Sequence, residues 1–193
     1  MRVLVACEFS GAVRDAFIAK GHDAWSCDLL PGEGKHRNKH FQGDVFKVLR
    51  TDKNWDLLIA HPPCTYLCNS GVRWLHETEG RWAQMEEGAR FFKRLLNTKI
   101  PRICIENPVM HKYAKEIIGM DFTQSIQPWQ FGHGETKRTC FWLKGLPPLK
   151  PTKIVEGREQ KIHLASPGPD RWKIRSMTYP GIAKAMAAQW GKL

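Results

Sequence analysis

The chain has 193 residues, and 30 lysines and arginines against 19 acids give it a formal charge of +11. A single domain is expected at that length, with core enough to fold without staples, and no apolar run is long enough to be a membrane span. The excess of base favours a polyanionic partner, nucleic acid before an acidic membrane surface, because no basic amphipathic anchor stands out. Six cysteines, at 7, 27, 64, 68, 104 and 140, are scattered rather than framed for disulfides. They fit a reducing cytoplasm, and the opening MRVLVAC is too short for a secretion signal.

Arg2 to Cys7 reads as a first buried strand. Glu8, Phe9, Ser10 and Gly11 form a turn, and Ala12, Ala16 and Ala19 fall at helical spacing before Gly21. Strand, small-residue turn and helix make the first unit of a nucleotide-binding α/β fold, although no G-x-G-x-x-G is present. Asp23 to Leu30 is the second expected strand. Asp28 near its end is placed either to take ribose hydroxyls or to serve as a turn or cap acid. The run from Pro31 to His40 has glycine, proline and bases without periodicity, and predicts a mobile basic loop. Asp44, in Gln42-Gly43-Asp44-Val45, is a second acid at a turn.

Leu57, Leu58, Ile59 and Ala60 look like a buried parallel strand stopped by Pro62 and Pro63. Cys64 follows at its carboxyl end, where open α/β sheets place ligands; a small buried residue is the plainer alternative. Cys68 is expected to lie beyond the turn and to play no part in chemistry. From Glu79 to Leu96, Trp82, Met85, Ala89, Phe92 and Leu96 recur at three- and four-residue steps, as a core-facing helix stripe does. Ile100 to Ile105 is the next strand, ending in Glu106-Asn107-Pro108. Parallel pairing would bring Cys64 and Glu106 to one sheet edge.

After Met120 the pattern turns toward β, with Thr139 to Leu143 strand-like. Between Lys137 and Arg175 lie ten lysines and arginines against three acids, with Trp142 and Trp172 among them. That mixture suits phosphate contacts and base stacking, or else a solvated face. Tyr179 to Trp190 closes the chain as an amphipathic helix. Zinc on His61, Cys64 and Cys68 is disfavoured because Pro63-Cys64-x-x-x-Cys68 is one residue too long for the deaminase spacing and no H-x-E partner precedes it; no metal is expected. A Cys–His hydrolase finds no histidine among the eight that the sequence singles out.

Pro62-Pro63-Cys64, Glu106-Asn107-Pro108, the Phe9-Ser10-Gly11 turn and Asp44 in Gly43-Asp44-Val45 resemble, in this order, the S-adenosylmethionine-dependent DNA (cytosine-5)-methyltransferases. Gly71 lies where the family's Pro-Cys motif continues into a glycine. The resemblance covers nearly the whole chain and is strongest to the compact members found in phages and prophages. It implies a Rossmann-like methyltransferase fold, a mostly parallel sheet flanked by helices, over 1–193, with a reduced substrate-contacting segment at about 147–175. It also implies S-adenosylmethionine as cofactor and DNA as partner, either duplex with a flipped base or single-stranded, in the cytoplasm of a bacterial host if the chain is phage-encoded.

By the same resemblance Cys64 is the nucleophile that adds to cytosine C6, and Glu106 holds the proton for N3. Glu8, Phe9, Ser10 and Gly11 cradle the methionine part and Asp28 the ribose; Asp44 takes the adenine amine, and Pro62 lines the cofactor site. The family's Gln-x-Arg-x-Arg motif corresponds to Glu135-Thr136-Lys137-Arg138-Thr139, with Lys137 on an arginine position and Arg138 beside it, both assigned to catalysis. The alternatives are a catalytically inactive nucleic-acid or cofactor-binding protein of the same fold, and a related enzyme acting on RNA or a free cytosine nucleotide.

Overall fold

The structure is a computed structural model that describes residues 1–52, 54–164, 168–169 and 171–193. In chain order its elements are β1 (Arg2–Ala6), α1 (Ala12–Ile18), β2 (Asp23–Asp28), β3 (His40–Gln42), α2 (Val45–Thr51) and β4 (Leu57–Ala60). They continue with α3 (Trp74–Glu77), α4 (Arg81–Leu96), β5 (Arg102–Asn107), α5 (Lys112–Ile118), β6 (Gln124–Ile126) and β7 (Thr139–Lys144). The last three are α6 (Lys161–Leu164), α7 (Arg171–Ser176) and α8 (Pro180–Trp190).

Seven strands of the described residues form one sheet in the order β3-β2-β1-β4-β5-β7-β6. The first five are mutually parallel, and β7 runs antiparallel to both β5 and β6. The central strands are apolar throughout because both faces are covered. Leu4, Ala6, Leu58, Ala60, Ile103 and Ile105 point into a core filled by α4 and α5. Val3, Val5, Leu57, Ile59 and Cys104 point the other way, against α1 and α8. The expected Rossmann-like α/β architecture is therefore the one observed. The chain leaves β1 toward β2 and β3 and returns through β4 to β5, so the direction of winding reverses between β1 and β4. At such a reversal the loops after the two strands part and leave a crevice.

Several sequence expectations need correction. The run after Asp28 is pinned rather than mobile. Arg14, wholly buried on α1, reaches it through Nη2 to the Glu33 carbonyl at 2.7 Å, while Nη1 holds Ser26 on β2 at 2.8 Å. The Asp15 carboxylate accepts the Lys35 N–H at 2.7 Å and the His36 ring at 3.1 Å. The run then enters β3, and Asp44 caps α2 by accepting the Phe46 N–H at 2.8 Å; both elements are too short, at three and seven residues, to stand out in the sequence. On α1 the buried residues are Val13, Arg14 and Phe17 rather than the alanines. On α4 the stripe holds from Met85 onward, but Trp82 is 38% exposed, its ring edge-on to His76 and Tyr113.

Trp142 is the largest correction. It lies on β7, which packs against β5 inside the sheet, so its indole is wholly buried beside Phe92 and donates to the Met120 carbonyl at 3.1 Å. It cannot stack on a base. Trp172 is 53% exposed, and residues 165–167 and 170 of the basic segment lie outside the described residues. Trp142→Ala should therefore cost about 3–5 kcal/mol of stability, and Trp172→Ala no more than about 0.5 kcal/mol. Urea unfolding of the two variants would check this, and equal losses would contradict the placement of Trp142.

Candidate active site

The register of the parallel strands sets the site. Ala6, Ala60 and Ile105 are level across β1, β4 and β5, so the residues just beyond them meet at one height in the crevice. These are Glu8 after β1, His61 to Cys64 after β4, and Glu106 at the end of β5. The His61 N–H continues the ladder by donating to the Ala6 carbonyl at 2.9 Å. Asn107 then ties β5 to the proline turn, its side-chain amide donating to the Pro62 carbonyl at 2.9 Å.

His61 and Glu106 form the shortest polar contact of this group. Nδ1–H donates to Oε2 at 2.6 Å, with both side chains largely buried. Burial alone would pull the imidazole pKa down, but Glu106 and then Glu8 raise it above the ordinary 6.5. Burial likewise pushes Glu106 up, and His61 with Lys137 outweighs it, so the carboxyl is held below its usual range. The two directions agree on an imidazolium paired with a carboxylate. His61 Nε2 is buried and has no hydrogen-bond partner among the described residues. In the sequence His61 stands out only as a disfavoured zinc ligand. What marks it is position: it directly follows a buried parallel strand and stands three residues before Cys64.

Cys64 opens a helical turn in which the Cys68 N–H donates to its carbonyl at 3.0 Å. That brings the two thiols together, which corrects the expectation that Cys68 lies apart. A hydrogen-bonding interaction with Cys68, together with burial, pushes Cys64 well above the ordinary thiol range. Cys68 is held well below it by that same bond, with burial opposing and Ser70 and the Gly71 N–H assisting. The Cys68 sulfur is 3.3 Å from Ser70 Oγ. The two thiols therefore titrate as a pair, with Cys64 the more basic and Cys68 the more acidic member.

The remaining candidates divide. Lys137 belongs to the site: its charge acts on Glu106, His61 and Cys64, and its Nζ is braced by the Arg175 and Met177 carbonyls at 2.8 and 3.4 Å. Arg138 points elsewhere, its guanidinium 5.7 Å from the Phe122 ring centre. Glu8 is spent on α1, accepting the Val13 N–H at 2.7 Å and the Arg14 N–H at 3.2 Å. Its burial raises its pKa against those bonds and His61. Gly11 has φ +72°, and a Cβ there would overlap the Arg14 guanidinium, so that glycine serves the fold directly. Ser10 Oγ accepts the Ala12 N–H at 3.3 Å. Phe9 is buried with its ring 5.7 Å from that of Trp172. Asp28 closes β2, its Oδ1 accepting the Leu30 N–H at 2.9 Å, and Leu29 beside it is 74% exposed.

No protein-family profile matches this chain, and no curated protein matches it in sequence. Among solved structures, a methyltransferase of Entamoeba histolytica, EhMeth, is 15% identical with a TM-score of 0.48, over 80% of this chain and 57% of that one. The Dnmt2 methyltransferase of S. pombe is also 15% identical with a TM-score of 0.48, over 84% of this chain and 53% of that one. The chain thus spans little more than half the length of either.

A thiol with a depressed pKa alkylates first, because the thiolate is the nucleophile. Iodoacetamide at neutral pH should label Cys68 ahead of the other five cysteines, and Cys68→Ser should remove the fast phase. Peptide mass spectrometry would read this out; first labelling at Cys64 would reverse the order of the two thiols.

Proposed function

We propose that this chain is an S-adenosylmethionine-dependent DNA (cytosine-5)-methyltransferase working as a single domain. The observation that carries the proposal is the meeting of a proline-fixed thiol, Cys64, with the buried Glu106–His61 pair at one level of the crevice. A protein that only binds nucleic acid has no need of a nucleophile and a buried acid side by side.

The chemistry follows from what cytosine lacks. C5 is too weak a nucleophile to take a methyl group unaided. Cys64 adds to C6, forming a C–S bond, while Glu106 supplies a proton to N3 and accepts the exocyclic amine, so that C5 becomes an enamine carbon. Cys68 receives the Cys64 proton as the sulfur attacks. S-adenosylmethionine, when bound, supplies the electrophilic methyl group. A base then takes the C5 proton, the C–S bond breaks, and the N3 proton returns through Glu106. Lys137 offsets the negative charge gathered around these groups.

The residues after β1, β2 and β3 fit the cofactor. Asp28 keeps an oxygen for ribose hydroxyls beside the exposed Leu29, and Asp44, two residues past β3 at the cap of α2, is placed for the adenine amine. The Phe9–Gly11 turn and Pro62 flank the crevice. A base inside a duplex cannot reach Cys64, so the target is flipped out or single-stranded. The basic segment at about 147–175 supplies phosphate contacts, and Trp172 an exposed ring for stacking.

DNA containing 5-fluorocytosine tests the mechanism, because fluorine at C5 cannot leave as a proton. The wild type should be trapped at Cys64 and Cys64→Ser should not be. Glu106→Gln should be slowed about a hundredfold to ten-thousandfold with cofactor affinity retained, whereas Asp28→Ala should weaken that affinity in calorimetry. Methylation without an adduct at Cys64 would refute the mechanism, and an adduct formed on RNA in place of DNA would reassign the substrate.

Oligonucleotide affinity should also fall steeply with salt, the slope of log affinity against log salt growing by about 0.9 for each phosphate neutralised on a duplex. Fluorescence anisotropy across a salt series would measure it, and a flat response would favour a free nucleotide as substrate.

A further inference from the structure

We propose that His61 is a positioning residue for Glu106: it stores at Nδ1 the proton that Glu106 passes to the cytosine ring, and it thereby sets the alkaline limit of the reaction. The inference deepens the cytosine-5 transfer proposed above and rests on it.

The difficulty it resolves is internal to the site. Protonating N3 needs an acid, yet Glu106 is held as a carboxylate by His61 and Lys137. A carboxylate has no proton to give. The proton nearest to it is on His61, along a 2.6 Å hydrogen bond between two largely buried groups. Moving it requires no rearrangement: the His61 Nδ1–H bond breaks as the Glu106 O–H bond forms, and the carboxyl gives a proton to N3 as the sulfur bonds to C6. The pair is left as a neutral imidazole and a carboxylate, and the proton returns when the C–S bond breaks. Proton and charge are conserved over the cycle.

The surroundings favour this store. Three neighbouring segments present charge to it: Glu106 from β5, Glu8 from the turn after β1 and Lys137 from the approach to β7. The two carboxylates hold the imidazolium and Lys137 opposes it. Nε2 is buried without a partner among the described residues, so Nδ1 is the only ring nitrogen with an observed outlet, and that outlet is Glu106.

The sign of the pH dependence follows. A raised imidazole pKa holds the proton to higher pH than a free imidazole does and loses it as the pH climbs through that raised value. Adduct formation should therefore fall on the alkaline side, about tenfold per pH unit once the proton is lost. In His61→Asn the amide preserves a hydrogen bond to Glu106 but stores nothing. Glutamic acid alone must then supply the proton, so the alkaline limb should move at least one unit toward acid and the rate at neutral pH should drop tenfold or more.

The experiment has two arms. In the first, NMR of ring-labelled histidine follows His61 through a pH titration in the wild type, Glu106→Gln and Glu8→Gln. Titration above 6.5 in the wild type, lowered in both variants, is expected, and titration at or below 6.5 in the wild type overturns the proposal. The second arm measures trapping by 5-fluorocytosine DNA against pH in the wild type, His61→Asn and His61→Gln. An alkaline limb unmoved in whichever of these variants folds overturns the proposal as well. A wild type that forms no adduct at any pH refutes the cysteine mechanism instead, so the two failures are distinguishable.

Discussion

Three neighbouring strands that run the same way in register are what the rest of this molecule depends on. Because Ala6, Ala60 and Ile105 are level, the first polar residues past them cannot avoid one another. Each strand is buried on both faces, so sliding any one of them by a residue would exchange its two sets of side chains between two different cores. The meeting of Glu8, His61, Cys64 and Glu106 is thus enforced by packing far from the crevice.

That enforcement has an electrostatic cost. A lone ion taken from water into a protein interior costs several kcal/mol, and the site holds two buried carboxylates, an imidazole and a lysine. The solution is mutual: Glu106 takes His61, Glu8 takes two helix N–H groups, and Lys137 faces Glu106. No member can be exchanged for a neutral residue without altering the protonation of the others, which couples Glu106 to residues flanking three other strands.

Much of this was legible in the sequence wherever a local rule and the fold agree. The apolar runs of β1, β4 and β5, the proline stop after Ala60 and the acid closing β5 each announce themselves, and together they imply a shared edge for Cys64 and Glu106. Trp142 misled because its neighbours in sequence are basic while its neighbours in space belong to β5 and α4; charge along a chain does not report the inward face of a strand. Arg138 misled for a similar reason, since its guanidinium lies over the Phe122 ring while its neighbour Lys137 acts on Glu106. The His61–Glu106 contact is illegible in the sequence because the two residues are 45 apart and belong to neighbouring strands. Cys68 needed a helical turn, rather than mere separation by four residues, to bring it back onto Cys64.

Arg14 carries a consequence for how the molecule comes apart. A guanidinium without water around it, bonded at once to α1, β2 and the run that leads into β3, makes those pieces one cooperative unit. Opening any of them breaks buried bonds of Arg14, so the segment beside Asp28 cannot peel away as an independent flap while α1 stays folded. Its backbone amides are thereby tied to the unfolding of the sheet edge, and they would exchange with solvent at the rate of that edge rather than at the rate of a surface loop.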